Sequence, residues 1–383
     1  MVRVLLDATA IPADRGGVGR YLDGLIPALS RLDELDTVVV CQQRDAALYR
    51  AQAPGSEIVV APAPIAARGA RLAWEQTGLP ALVRRLEPDV LHSPHYTMPF
   101  GCSMPLGCSA PVVVTLHDAT FFSHPQLHSR LKRQFFTTAT RLAVRRAAGL
   151  IVPSAASRDE LVRLVSPAAQ RAVVAPHGVD ARVFYPPPAD EVAALRAELG
   201  IGDRRFVAFL GTVEPRKNVP NLIRGWAGAF AGRADAPALV IAGAPGWDRM
   251  VDPAAEAVPE GLRLVRPGYL ELDRLRALLG GADVVAYPAL GEGFGLPVAE
   301  AMACGAAVLT TRRLALPEVG GDAVAYCEPD AAAIGSALAE LCDAPRRRDE
   351  LAERALKRAG RFTWAAAAQA HAAAYRAAAK AAS

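Results

Sequence analysis

Short, almost wholly apolar runs recur along the chain, each leading into a stretch that reads as helix. In the first half they are Val2–Leu6, Thr37–Val40, Val90–His92, Val112–Leu116, Gly149–Val152 and Ala172–Ala175. In the second they are Phe206–Leu210, Ala238–Ala242, Arg263–Val265, Asp283–Tyr287, Ala307–Thr310 and Ala323–Tyr326. Runs so short and so apolar suit strands buried on both faces, hence parallel sheets covered by helices. Strand–helix alternation then builds α/β units with right-handed crossovers.

The two series are separated by Phe184-Tyr185-Pro186-Pro187-Pro188 and a charged helical stretch, Asp190–Leu199. Three successive prolines join neither a helix nor a central strand, so they read as a stiff connector. With 383 residues, 52% of them hydrophobic and 21% charged, the chain has material for two packed cores. The expected organisation is two Rossmann-like domains, 1–183 and 204–360, joined by a Pro-rich linker and helix over 184–203. The Ala-rich end, 361–383, is a strong helix former. Ligands belong at the carboxyl ends of the strands, in a cleft between the halves.

Charge narrows the function classes. A formal net charge of +4 is too small to indicate a nucleic-acid-binding protein. The excess sits in residues 1–183, with 20 Lys and Arg against 15 Asp and Glu, and residues 119–157 hold six basic residues and no acidic one. Six cysteines form no Cys-x-x-Cys pair, so a reducing compartment is the simpler expectation. Met1-Val2-Arg3-Val4-Leu5-Leu6-Asp7 reads as a first strand and not a signal peptide. Residues 90–117 lack charge, but Pro94, Pro99, Pro105 and Pro111 rule out a bilayer-crossing helix. A cytoplasmic protein is expected.

Four segments carry chemistry. Gly291-Glu292-Gly293-Phe294-Gly295-Leu296-Pro297 follows a buried strand and runs into a helix that Gly305 ends. Its glycines let backbone N–H groups approach a phosphate at the helix N-terminus. Glu292 in the loop and Glu300 about one turn into the helix can accept hydrogen bonds from hydroxyls at different parts of one ligand. Glu214-Pro215-Arg216-Lys217-Asn218 follows the strand Phe206–Leu210, and an Arg fork beside a Lys point charge suits a diphosphate. His117-Asp118 ends the strand Val112–Leu116, where a histidine can bond a substrate hydroxyl or move a proton. Gly16-Gly17-Val18-Gly19 lacks the Gly-x-Gly-x-x-Gly spacing of a dinucleotide site and reads as a loop closing over a ligand.

Together these segments resemble the retaining glycosyltransferases of family 4, the glycosyl transferases group 1. The likeness spans nearly the whole chain. It rests on the Glu-x7-Glu pattern Glu292…Glu300, on Glu214–Asn218, on Val114-Thr115-Leu116-His117-Asp118 and on Val174–Asp180, where His177 stands in place of a frequent Asn. The resemblance implies the GT-B fold, α/β with two Rossmann-like domains whose parallel sheets face each other across an interdomain cleft. It also implies a final helix crossing back to the N-terminal domain.

By the same resemblance Arg216 and Lys217 bind the donor diphosphate, Glu300 the ribose and Glu292 the donor sugar. Backbone amides of Gly293, Phe294, Gly295 and Leu296 contact sugar and phosphate. His117 faces the anomeric centre, Gly17 lies against the diphosphate, and Tyr269 and Leu270 lie near the base. The implied activity is a retaining hexosyl transfer from a nucleoside-diphosphate sugar to a glycan, glycolipid or small-molecule hydroxyl. The Glu-Pro-Arg-Lys-Asn wording is similar to that of mannosyltransferases, which favours GDP-mannose over UDP-sugars.

No Asp-x-Asp motif occurs, so metal-independent chemistry and no cofactor are expected, with Arg216, Lys217 and the helix N-terminus meeting the diphosphate charge. The rivals are a nucleotide-dependent oxidoreductase, disfavoured by the missing fingerprint, and a catalytically silent nucleotide-binding scaffold of the same fold. His92, His95, His124 and His128 have no accompanying acid or Cys set, and Pro94 and Pro125 make their surroundings read as loop and surface, with no metal site. The basic stretch 130–146 reads first as a solvated helix face, with peripheral contact with an anionic membrane as the alternative.

Overall fold

The computed structural model describes residues 1–12, 15–100 and 110–382. Within them the chain divides into two compact units, one of Met1–Gly178 with Thr363–Ser383 and one of Val179–Phe362. The chain therefore passes between units at 178/179 and 362/363. Pro186–Pro188 belong to the second unit, where Pro187 lies against Gly280 of the helix Leu272–Gly281.

The first unit holds seven parallel strands: β1 (Val2–Asp7), β2 (Leu35–Cys41), β3 (Glu57–Val60), β4 (Val90–Ser93), β5 (Val112–Thr115), β6 (Gly149–Val152) and β7 (Val173–Val174). Their order is β3-β2-β1-β4-β5-β6-β7. Side chains alternate across the sheet into two separate cores. Leu5, Val38, Leu91, Val112 and Val114 face one. Val4, Leu6, Val39, Val90 and Val113 face the other, which the helix Trp364–Ala382 helps to cover with Ala368, Ala372 and Tyr375. That helix is Ala-rich where it lies down, so its backbone can approach the sheet closely.

The second unit holds six parallel strands: β8 (Phe206–Leu210), β9 (Ala238–Ala242), β10 (Leu264–Gly268), β11 (Val284–Tyr287), β12 (Val308–Thr311) and β13 (Ala325–Cys327). Their order, β10-β9-β8-β11-β12-β13, reverses direction between β8 and β11. In an open α/β sheet this reversal opens a crevice beyond the carboxyl ends of the two strands. The fold is α/β with two Rossmann-like domains, each built on a parallel sheet.

Three features differ from expectation. Strand β3 has no counterpart among the apolar runs, because it is an edge strand that begins with exposed Glu57 and is only half buried. Gly16–Gly19 is not a loop: these residues form the first turn of the helix Gly16–Leu29, entered through Arg15, whose guanidinium is fixed by Asp23 and Asp45. His92 is not at the surface, since it lies fully buried on β4.

Candidate functional site

At the reversal point of the second sheet, two loops meet because β8 and β11 are hydrogen-bonded neighbours. The loop after β8 tightens into a single 3-10 turn, Pro215–Lys217, and Asn218 with φ 61° turns the chain into the helix Val219–Phe230. The Asn218 side chain holds this corner by donating to the carbonyls of Pro288 (3.1 Å) and Pro329 (2.6 Å). The loop after β11 ends at Gly295, whose φ of 96° caps the helix Leu296–Ala303. A Cβ at Gly295 would stand 2.8 Å from Leu316 in addition to that backbone strain.

Between these corners lies a compact ionic cluster. The Glu292 carboxylate pairs with the Arg216 guanidinium at 2.6 Å and with the Lys217 ammonium. Arg216 Nε also donates to Glu214 (3.0 Å), and its Nη1 donates to the Gly291 carbonyl (3.3 Å). Tyr287, the last residue of β11, donates its hydroxyl to Glu292 at 2.9 Å and receives a hydrogen bond from Lys217. Lys217 and Glu292 are buried.

Burial by itself would raise the Glu292 carboxyl, but Arg216 and Lys217 outweigh it and hold the group at about 2. Burial and the neighbouring Arg216 pull Lys217 below its ordinary value, opposed by Glu292 and Glu214. Burial and the Glu292 charge push Tyr287 well up, so its hydroxyl keeps its proton. The cluster therefore presents two cations in fixed positions whose charge two carboxylates balance. An arriving anion of suitable geometry competes with those carboxylates for positioned donors.

The structure thus brings Arg216, Lys217 and Glu292 together, with Gly293–Leu296 leading from the cluster into the helix. Glu300 is buried on that helix. Phe294 and Leu270 have side chains packed in the core, so only their backbones are available to a ligand. Tyr269 is 58% exposed and follows β10, which β9 separates from β8. Tyr287 was absent from the sequence motifs; the signal that could have found it is a phenol at the carboxyl end of an otherwise aliphatic strand.

In the first unit, His117 follows β5 and its Nε2–H donates to the Pro94 carbonyl at 2.8 Å. Burial lowers its basicity, with Pro94 and Asp118 acting in the opposite direction. Asp118 is committed locally, accepting from the Thr120 N–H (3.0 Å) and hydroxyl (2.8 Å). Gly17 is exposed at the start of its helix, and a Cβ there would meet open space.

Edge-on to His117 at 5.1 Å stands Tyr21, the centre of a buried hydrogen-bond chain that no motif announced. The Ala367 carbonyl can only accept, so His371 Nδ1 carries the proton (2.7 Å). Burial holds His371 at about 4, hence neutral, and its Nε2 accepts from the Tyr21 hydroxyl at 2.7 Å. Thr115 then donates to Tyr21 (3.1 Å), and His92 Nε2–H donates to Thr115 (2.8 Å). Tyr375 closes the chain by donating to His92 Nδ1 at 2.8 Å. Every proton in this chain has one direction, and it ties the C-terminal helix to β4, β5 and the helix Gly16–Leu29.

Comparison with known proteins places these two sites in context. Residues 15–183 match the model of glycosyltransferase family 4, and residues 191–358 match that of glycosyl transferases group 1. The O-antigen chain mannosyltransferase B of Escherichia coli is 27% identical over 279 residues, covering 72% of this chain and 71% of that protein. The alpha-maltose-1-phosphate synthase of Mycolicibacterium smegmatis is 32% identical over 214 residues, covering 52% of this chain and 54% of that protein. The chain thus spans about half the length of several curated relatives it matches. The structure of sucrose-phosphate synthase from Thermosynechococcus elongatus superposes with a TM-score of 0.77 at 20% identity, covering 98% of both chains.

Proposed function

Because the chain belongs to glycosyltransferase family 4 with its glycosyl transferases group 1 domain, and is a glycosyltransferase of the GT-B type, we propose that it transfers mannose from GDP-mannose. The transfer is to a hydroxyl of a glycan, glycolipid or small molecule, with retention at the anomeric carbon and without a metal. The observation that carries this reading is the Arg216–Lys217–Glu292 cluster at the reversal point of the second sheet, with Lys217 and Glu292 buried. The Glu-Pro-Arg-Lys-Asn wording and the mannosyltransferase among the relatives support the choice of donor.

The chemistry follows from charge. Cleaving the sugar–phosphate bond leaves a growing negative charge on the diphosphate, and positioned cations stabilise that charge more than they stabilise the ground state. Arg216 offers a planar fork and Lys217 a compact ammonium, both held without reorganisation by Glu292, Glu214 and Tyr287. Backbone N–H groups at the start of the helix Leu296–Ala303 add a partial positive charge. Glu292, ionised throughout the neutral range, can exchange part of its hold on the cations for hydrogen bonds from donor-sugar hydroxyls. Glu300 binds the ribose, and His117 bonds a sugar hydroxyl through the nitrogen not committed to Pro94. The acceptor hydroxyl bonds to the anomeric carbon on the face from which the diphosphate departs, so no carboxylate nucleophile is required, and the leaving phosphate oxygen takes the acceptor proton in place of a separate base.

Incubating the purified protein with a panel of GDP-, UDP- and ADP-sugars and following nucleotide release tests the assignment. The expected result is release from GDP-mannose that persists in EDTA. Release from UDP-sugars alone would move the donor to the UDP class, and binding of nucleotide without release from any donor would favour the silent scaffold.

A further inference from the structure

The first sheet has a reversal point of its own, between β1 and β4, and a crevice opens there beyond the carboxyl ends of the strands. Val4, Leu5 and Leu6 pair with Val90, Leu91 and His92, so Asp7 and Ser93 come next, side by side at those ends. Side chains alternate along a strand. Asp7 and Ser93 therefore share the face of Leu5 and Leu91, opposite the His92–Thr115 chain. The helix Arg68–Leu86 covers that face with Leu79, Leu82 and Val83.

The same helix brings Arg71 and Glu75 to this corner. Buried Glu75 pairs with Arg71 at 2.9 Å and accepts from the Thr97 hydroxyl (2.8 Å) and the Gln76 amide (3.1 Å). Both of its oxygens are thereby engaged. Buried Asp7 is engaged on one side only, where Oδ1 accepts from the Thr9 N–H (2.9 Å) and hydroxyl (2.6 Å). Its Oδ2 faces Arg71 Nη1 at 4.0 Å, too far for a hydrogen bond. The buried Ser93 hydroxyl has no hydrogen-bond partner among the described residues. Arg71 keeps 11% of its side chain exposed, so the corner is not sealed.

A single oxygen can bridge a 4.0 Å separation with a hydrogen bond to each side. A hydroxyl fits both sides at once, accepting from Arg71 and donating to Asp7. A phosphate oxygen only accepts and would meet two carboxylates; an ammonium only donates and would meet the guanidinium. Burial raises the Glu75 carboxyl, with Arg71 opposing and Asp7 adding to the shift, so one cation already answers two acids here.

We propose that this corner is an acceptor subsite, holding a hydroxyl of an uncharged sugar or polyol between Asp7 and Arg71 with Ser93 as a third contact. The subsite lies beside His117: Pro94, whose carbonyl holds His117, directly follows Ser93, and Thr97 ties the same loop to Glu75. It presupposes the glycosyltransferase reading above and gives the acceptor a class, a neutral carbohydrate hydroxyl and not a phosphate or an amine.

Ligand-observed NMR on the nucleotide-free protein tests it, with methyl α-mannoside, methyl α-glucoside and myo-inositol as probes and methyl phosphate and methylamine as comparisons. Saturable binding of at least one uncharged probe is expected. Asp7→Asn keeps the shape and the oxygen that accepts from Thr9, but presents a donor where Oδ2 stood. It should weaken that binding by about tenfold or more. Ser93→Ala removes a hydroxyl that has no partner to lose. It should melt no lower than the native protein and still bind the probe severalfold more weakly. Binding unaltered in both variants would overturn the subsite and leave the gap to an ordered water. Binding of methyl phosphate or methylamine in place of the uncharged probes would overturn the hydroxyl assignment, and binding of no probe would overturn the proposal outright. Nucleotide release by the native protein in the donor panel judges the donor reading separately.

Discussion

The two units use one architecture for opposite electrostatic purposes. The second unit gathers Arg216, Lys217, Glu214 and Glu292 at the carboxyl ends of β8 and β11, so its partly buried site is charged and internally balanced. The first unit buries Tyr21, His92, Thr115, His371 and Tyr375 near His117 as a chain of neutral hydrogen bonds. A charged cluster suits a ligand whose charge grows during reaction. A neutral chain with a fixed proton order suits a scaffold that must hold its shape without attracting counter-ions.

The largest expected effect breaks the charged side of this contrast. Lys217→Ala should lower turnover of the donor by about a hundredfold, because Glu292 and Arg216 remain but the ammonium that meets the diphosphate is gone. The same variant should leave the first unit's hydrogen-exchange protection unchanged. Steady-state kinetics together with exchange measurements check both statements.

Next in size is the neutral side. His371→Ala strips the Tyr21 hydroxyl of its acceptor and opens a cavity beneath the C-terminal helix. The expected cost is about 2–4 kcal/mol in urea unfolding, with nucleotide affinity intact. A loss of nucleotide binding equal to the loss of stability would show that the two units do not divide the work as described.

Acid should separate the units in order. His371 sits at about 4 in the folded protein against an ordinary 6.5. Between those values the unfolded chain binds the extra proton, so stability falls as pH drops from 6.5 towards 4. Burial depresses His92 and His177 in the same direction. Glu292, at about 2 against 4.5, contributes stability that is full above 4.5 and is lost only between 4.5 and 2. At about pH 5, peptides from the helix Trp364–Ala382 should therefore lose exchange protection while peptides from Val284–Ala303 keep theirs.

The smallest effect concerns the surface. Arg376 pairs with Glu34 where the C-terminal helix meets solvent, both side chains being nearly half exposed. Arg376→Ala should cost under about 1 kcal/mol, which would place the helix's anchorage in the buried chain and in Trp364. That indole fits only because position 24 is glycine; a Cβ there would stand 2.0 Å from the ring.

How legible all this was in the sequence varies with distance along the chain. Strands such as Gly149–Val152 and Phe206–Leu210 are buried on both faces, and their apolar runs mark them residue for residue. β3 is an edge strand half open to solvent, and Glu57-Ile58-Val59-Val60 lacks that signature. Each half of the ionic cluster was visible as a motif. Its closure, Glu292 holding both Arg216 and Lys217 across some 75 residues, needed the β8–β11 pairing.

Gly16–Gly19 misleads because clustered glycines ordinarily mark a loop, whereas here Arg15, anchored by Asp23 and Asp45, starts a helix through them. The Tyr21–His371 chain was illegible because its members come from four separate elements and no spacing links them.

The most direct test of the account is calorimetric titration of GDP into the native protein and into Lys217→Ala and His371→Ala, with and without EDTA. The account predicts tight, EDTA-insensitive binding to the native protein and to His371→Ala, and binding at least about tenfold weaker to Lys217→Ala. Equal affinity for the native protein and Lys217→Ala, or binding abolished by EDTA, would contradict the claim that this ionic cluster is the diphosphate site.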